Sequence, residues 1–390
     1  MQPLPFLLAL SFLLGFTTAI PQPLHLPDAV DLLAAKGLVN LAIYQTKVHS
    51  KCTVANAVKR REWGDLSAPD KKKYIAAVLC LQSKPSKTPP SIAPGARSRY
   101  DDFVLVHIQQ TFSIHSTGNF LSWHRYFVWA YETALREECG YKGYQPYWNW
   151  GRYASDPINS PLFDGSDTSL SGNGLYTNHT GVIIPGAPPP FDVIPPGVGG
   201  GCVTTGPFKN MSVNLGPLAA SISDVPPNPQ ADGLGYNPRC LRRDVNPNSS
   251  AVTATNYTYS LITEPLHADI YWFQTVMQGQ FPEGKWGVHA GGHFTIGGDP
   301  GGDFFTSPGD PAFFLHHGMI DRVWWIWQTQ NLPARLKAVS GTITFANEPP
   351  SRNATLNDDV DLGLIAPPVK LGSLLNTMGG LGGEFCYIYV

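Results

Sequence analysis

Apolar residues return every three or four positions in several separate stretches of the chain, and that spacing predicts a mainly helical protein. The first stretch opens at Leu26-Pro27-Asp28 and carries Val30, Leu33, Leu38 and Leu41, with Asp28 or Asp31 in the first turn. From Arg60 to Leu81 the pattern reads as a short helix around Trp63, a loop at Ser67-Ala68-Pro69, and a second helix striped by Tyr74, Ala77, Val78 and Leu81. Pro69 suits the first helical position after a Ser67 or Ala68 cap, because its missing N–H would have no partner there. The proline-rich stretch Pro85 to Pro94 then breaks regular structure.

Asp101 and Asp102 introduce a helix bearing Phe103, Val106, His107 and Gln110. After a loop at 113–118, a longer run from Leu121 to about Glu138 repeats His124, Phe127, Val128, Tyr131 and Leu135 on one face. The two are expected to pack as a hairpin. Between Asp156 and Cys240, clusters such as Pro188-Pro189-Pro190 and Gly199-Gly200-Gly201 exclude helices, so a long surface excursion is expected. Helical spacing resumes from Asn256 to Gln280, interrupted near Pro265, then in a short helix from Trp286 to Phe294. A Gly-rich loop, 299–308, precedes a strongly aromatic helix from Asp310 to about Gln328, and β-prone pieces close the chain at Gly341–Phe345 and Cys386–Val390. Four helices thus converge under irregular cover. Because helical chemistry resumes after the excursion, residues 20–390 are expected to form one domain.

Composition narrows the classes. At 43% hydrophobic over 390 residues, the chain can bury a sizeable core. Lys+Arg 27 against Asp+Glu 29, a net charge of -2, leaves no basic footprint for a nucleic acid. An apolar run from Pro5 to Phe16, followed by Thr17-Thr18-Ala19, reads as a secretory leader over 1–19 and is shorter than the roughly 20 residues that span a bilayer. A secreted protein without a membrane anchor is expected. Five acceptor patterns for N-glycosylation, at Asn178, Asn210, Asn248, Asn256 and Asn353, agree with that route. So do six cysteines without CxxC spacing, which suggest three disulfides; their pairing is open at this level.

The histidines carry the chemistry. Apart from His25, His49, His179 and His267, they form two clusters: His107, His115 and His124, then His289, His293, His316 and His317. His289 and His293, four apart, share a helix face. Adjacent helical residues diverge by about 100°, so only one of His316 and His317 joins them, while the other packs or makes a hydrogen bond. Asp321, four beyond His317, is a candidate acceptor fixing that ring's tautomer. Two all-imidazole trios suit a redox metal: calcium and magnesium want oxygen donors, a blue-copper site needs a cysteine, and Ala290-Gly291-Gly292 replaces the Glu of a zinc-protease motif. Copper cycles between oxidation states and zinc does not, so two copper ions that share dioxygen are expected.

These segments resemble the tyrosinase and catechol oxidase family of polyphenol oxidases. The likeness rests on His107, His115, Gly118, Phe120, Trp123-His124-Arg125-Tyr126, Glu132 and Tyr147-Trp148-Asn149-Trp150. Its second half is His289, His293, Asp310-Pro311, Phe313, His316-His317, Asp321-Arg322 and the closing Phe385-Cys386-Tyr387. It implies a four-helix bundle around a dinuclear copper centre, His317 as the sixth ligand, and oxidation of o-diphenols to o-quinones by dioxygen. In true tyrosinases it also implies hydroxylation of monophenols. Three departures stand out. No cysteine lies between Cys80 and Cys139 to form a thioether with a copper-binding histidine, which leaves His115 to packing. Ala290 follows His289 where relatives often carry Asn or Gly, which leans toward diphenols. Gln278 falls where many relatives place a water-ordering glutamate, and Glu283 is the nearest carboxylate for a base. Phe304 or Phe305 is a candidate aromatic gate. Three readings compete with the oxidase: a dioxygen carrier resembling haemocyanin, a glycoprotein with incidental histidines, and a zinc hydrolase.

Overall fold

Polar side chains start the main helices by capturing N–H groups that have no partner within the helix. In the computed structural model, which describes residues 26–390 apart from 185, 221, 223 and 224, Asp28 caps α1 (Ala29–Gln45) and Asp31 closes its capping box. Ser67 caps α2 (Ala68–Ser83), with Pro69 in the second helical position. Ser98 and Asp101 form a capping box on α3 (Arg99–Ile114), and α4 (Phe120–Cys139) stops at Gly140, whose φ of 68° suits a residue without a Cβ. Then follow α5 (Trp150–Tyr153), α6 (Pro247–Ser250), α7 (Thr255–Thr263), α8 (Ile270–Gln278), α9 (Gly287–Ile296) and α10 (Ala312–Thr329). The expected leader lies outside the described residues.

α3, α4, α9 and α10 form the bundle. Every residue of α10 is buried, as its all-round apolar character requires. Its seam with α4 is aromatic: Phe314 stacks on Tyr131 with ring centroids 3.5 Å apart and lies 5.7 Å from Phe127. α3 and α4 pack as the expected hairpin, with Phe103 edge-on to Tyr131. The Cys80–Cys139 disulfide ties α2 to the end of α4, and α1 lies along α10 through the Asp31–Arg322 ion pair at 2.7 Å.

Two local expectations fail, each for its own reason. There is no helix around Trp63: Val58–Arg60 is a strand that pairs in parallel with Tyr387–Tyr389, and the Trp63 N–H bonds the Tyr147 carbonyl at 2.9 Å. Backbone groups committed to distant partners cannot serve a local helix. The closing strand at 387–389 is therefore present, and Cys52–Cys386 fastens it. Gly341–Phe345 makes only one bridge, Thr342 to Asn353, before the chain turns at Phe345–Asn347; the excess of turn-forming residues there outweighs β propensity.

The excursion contains short antiparallel pairs, Gly174–Tyr176 with Gly200–Val203 and Ser212–Val213 with Arg239–Cys240, and the Cys202–Cys240 disulfide. It is more than a surface cover. Phe163, Leu170, Phe208 and Val213 are buried in the core, and just past its end fully buried Arg243 binds Asp310 at 2.7 Å beside the start of α10.

Candidate metal centre

Helix geometry delivers the rings. His107 and His124 project from α3 and α4 into the same interior, and His115 caps the C-terminal end of α3 with extended backbone, which turns its ring back toward them. Ring centroids lie 5.2 Å apart for His107–His115, 5.0 Å for His115–His124 and 5.9 Å for His107–His124. On the other side, His289 and His293 stand one turn apart on α9 and face His317 of α10, at 5.2 and 5.3 Å. The trios abut. His124 stacks on His317 at 4.5 Å, and His115 lies 5.9 Å from His289.

Hydrogen bonding settles which nitrogen is available in the first trio. Each Nδ1 sits on a backbone carbonyl: Phe305 for His107 at 2.7 Å, Thr111 for His115 at 2.9 Å and Phe120 for His124 at 2.8 Å. A carbonyl only accepts, so Nδ1 carries the proton and Nε2 is left as a bare lone pair. The Nε2 atoms of His107 and His124 are buried without any donor. Burial drives the pKa of His107 down to about 3 and that of His115 to about 4, and puts the other four rings well below the usual value. All six are neutral near pH 7, the form that binds metal.

In the second trio the Nε2 of His293 lies 3.2 Å from that of His289 and 3.2 Å from that of His317. Three imidazoles about 2.0–2.1 Å from one metal stand about 3.3–3.6 Å apart, so this spacing fits a single ion among them. His316 belongs to the same cluster; its Nε2 meets the carbonyl of His289 at 3.0 Å, whereas the Nε2 of His317 faces that of His293. Gly292 has to be glycine here, because a Cβ would overlap the His316 ring.

The remaining expected residues divide. Phe304 lies over the site, its ring 4.7 Å from His115, in a cavity of about 130 Å³ lined also by His289, Ala290 and His293. Gln278 lines the same cavity, but its amide is committed: Oε1 accepts from the Ser116 N–H at 2.7 Å and Nε2 donates to the Gln274 carbonyl at 3.2 Å. It steadies the loop behind His115, so His115 is held by hydrogen bonds as well as packing. Glu283 is half exposed and pairs with Lys285 at 2.8 Å, outside the cavity lining. Asp321 does not reach His317. It lies one turn farther along α10 and accepts instead from Arg125, Arg60, Tyr387 and Tyr389, because two guanidinium groups attract a buried carboxylate more strongly than a neutral ring. All five sequon asparagines are exposed.

Asp303 was not foreseen. Its carboxylate accepts from the N–H groups of Phe305, Thr306, Leu218 and Ala219, shaping the loop that carries Phe304. An aspartate two residues before a needed N–H in a Gly-rich loop is the available sequence signal.

Residues 97–330 match the common central domain of tyrosinase. The tyrosinase-like protein orsC of Emericella nidulans is 46% identical over 306 residues, 76% of this chain and 80% of the relative. Tyrosinase P of Aspergillus terreus is 44% identical over 85% of this chain and 91% of its own length. The N-acetyl-6-hydroxytryptophan oxidase ivoB of Emericella nidulans is 38% identical over 94% of this chain and its full length. A polyphenol oxidase variant from Thermothelomyces thermophila superposes with a TM-score of 0.85 at 46% identity, covering 93% of this chain and 98% of that one. With the domain match spanning more than half of the sequence and these relatives most of it, the chain belongs to the tyrosinase family.

Proposed function

We propose that this member of a family of copper-dependent phenol oxidases converts o-diphenols to o-quinones with dioxygen, using His107, His115 and His124 for one copper and His289, His293 and His317 for the other. The observation that carries the proposal is the pair of neutral histidine trios, buried except for part-exposed His293, in ring contact across the bundle. Bound copper supplies the electron exchange with dioxygen that no side chain here can supply. Two o-diphenols each lose two electrons and two protons, and one dioxygen accepts them and leaves as two waters.

The chain's own groups do the rest. The carbonyls behind His107, His115 and His124 fix ring direction, so that three lone pairs converge without reorganisation. Phe304 offers a face on which a phenol ring can stack while reaching His115 and His289. The Ala290 methyl neither accepts nor orients a phenolic proton, Gln278 is occupied, and both oxygens of Asp303 hold backbone N–H groups. With no uncommitted carboxylate lining the cavity among the described residues, the site favours diphenols, which need no ring hydroxylation, over monophenols.

Turnover is favoured over dioxygen carriage because the cavity runs from the histidines to a partly exposed Phe304. Residues 20–390 are proposed to act as one copper domain, in keeping with an apolar cluster that includes residues from Val30 to Tyr389. Secretion is proposed on three disulfides and five exposed sequon asparagines. Among the described residues no helix is long and apolar enough to cross a membrane. The test is copper content together with oxygen uptake on catechol and on phenol. Two coppers per chain with prompt uptake on catechol and a long lag on phenol are expected; retention of no copper, or reversible oxygen binding without quinone, would refute the proposal.

A further inference from the structure

At the mouth of the cavity, the lining rings of Phe304 and Phe345 continue outward to Phe112. Phe112, on the last turns of α3, is 59% exposed, and its ring lies 5.6 Å from Phe345, 5.4 Å from Phe305 and 6.3 Å from Phe304. Phe304 and Phe345 are 6.0 Å apart. These rings come from three separate segments: a helix end, the loop shaped by Asp303 and the turn at 345–347. A contiguous apolar patch at the surface marks a binding site where a singly exposed ring does not. Here they continue outward from the site proposed above.

The charges define what enters. Apart from the neutral His115, His289 and His293, Asp303 is the one titratable side chain among the cavity-lining residues, and it is fully buried with its oxygens engaged by four backbone N–H groups. Nothing in that lining meets the carboxylate or ammonium of a phenolic amino acid, and bringing either against phenylalanine faces would strip its water without replacement. A neutral aromatic substituent, by contrast, finds edges and faces at stacking distance.

On the basis of the phenol-oxidase proposal, we infer that Phe112, Phe304 and Phe345 form an outer subsite for a second aromatic ring, so that the substrate class is uncharged phenols of at least two rings. Phe304 reaches both rings of such a substrate, while Phe112 and Phe345 touch only the outer one.

The test is equilibrium binding to the copper-loaded full chain under anaerobic conditions, which separates recognition from turnover. The probes are phenol, 4-phenylphenol and tyrosine. The wild-type protein is expected to bind 4-phenylphenol about tenfold more tightly than phenol, and tyrosine no more tightly than phenol. Phe112→Ala, a helix-compatible change at an exposed position, is expected to cut the two-ring preference to about threefold or less, and Phe112→Tyr to restore it. An unchanged preference in both Phe112→Ala and Phe345→Ala, or tyrosine binding as tightly as 4-phenylphenol, overturns the subsite. Failure to oxidise catechol with the binding preference intact would instead count against the oxidase proposal.

Discussion

Asp321→Asn removes one charge from the centre of the molecule while keeping the side chain's shape. In the native protein that carboxylate accepts from Arg125 Nε at 2.5 Å, Arg60 at 3.2 Å, Tyr387 Oη at 2.8 Å and Tyr389 Oη at 2.5 Å. Burial alone would raise its pKa, and the Arg125 and Arg60 guanidinium groups outweigh that, holding it below the usual value. Arg60 keeps Glu132 at 3.0 Å after the substitution, whereas Arg125 keeps only neutral partners, the carbonyls of Leu374 and Leu375 and the side chain of Gln328, with Trp324 stacked at 3.6 Å. Removing one member of a buried ion pair costs about 3–5 kcal/mol, and the partners that remain place this case near the lower end, about 3 kcal/mol. Against a total stability of about 5–15 kcal/mol, that is a large fraction.

Urea unfolding of the metal-free chain with its disulfides intact reads the loss. With a slope of about 3 kcal/mol/M the midpoint should fall by about 1 M. Amide exchange at Ile388 should quicken at the same time, since both tyrosines of its strand hang on this carboxylate. The sign with pH follows from the depressed folded-state pKa. The wild-type contribution is present above the ordinary aspartate value of about 3.9 and disappears as pH falls through that value toward the folded one, so the gap between variant and wild type should narrow there. A midpoint shift below about 0.3 M, or a gap that stays constant down to pH 2–3, would show that the cluster does not anchor the closing strand. Tyr389→Phe, which removes the hydrogen bond donated to Asp321 and the one accepted from Arg60, should cost at least about 1.5–3 kcal/mol by the same assay.

Three further outcomes are expected. His124→Ala should leave about one copper per chain by metal analysis and abolish catechol turnover; retention of two would place the ligand elsewhere. Gln278→Leu, by freeing the Ser116 N–H, should speed copper loss to a chelator several-fold, with amide exchange at Ser116 rising in parallel, while Gln278→Glu, which keeps the acceptor, should be milder. Burial raises the Glu62 carboxyl to about 7, so the folded protein holds a proton there that the unfolded chain releases near pH 4.5. Stability should therefore fall by up to about 3 kcal/mol as pH rises from 4.5 to 7, and Glu62→Gln should flatten that slope in pH-dependent urea melts.

Much of the bundle was legible because its signals are local. The first-turn acids of α1, the Ser67 cap and the stripes of α3, α4 and α10 each act within one or two turns, so helix identity and the pairing of His289 with His293 follow from spacing, and the inward faces of His107 and His124 do too. The choice between His316 and His317 was narrowed to one ring by the same geometry, though which one is a matter of what faces it across the bundle.

Contacts between distant residues decided the rest. Arg60 and Tyr389 are 329 positions apart, and nothing near Trp63 announces that its strand would pair with the end of the chain and suppress a helix. Asp321 has the right spacing for His317, yet its partners come from three other places in the sequence, and charge attraction outweighs helical register. Gln278 occupies the expected cavity but is consumed by Ser116, a bond that depends on where α8 lies against the loop after α3. Side-chain periodicity determines which face a residue occupies; the partner it meets there depends on the packing of elements that the chain itself keeps far apart.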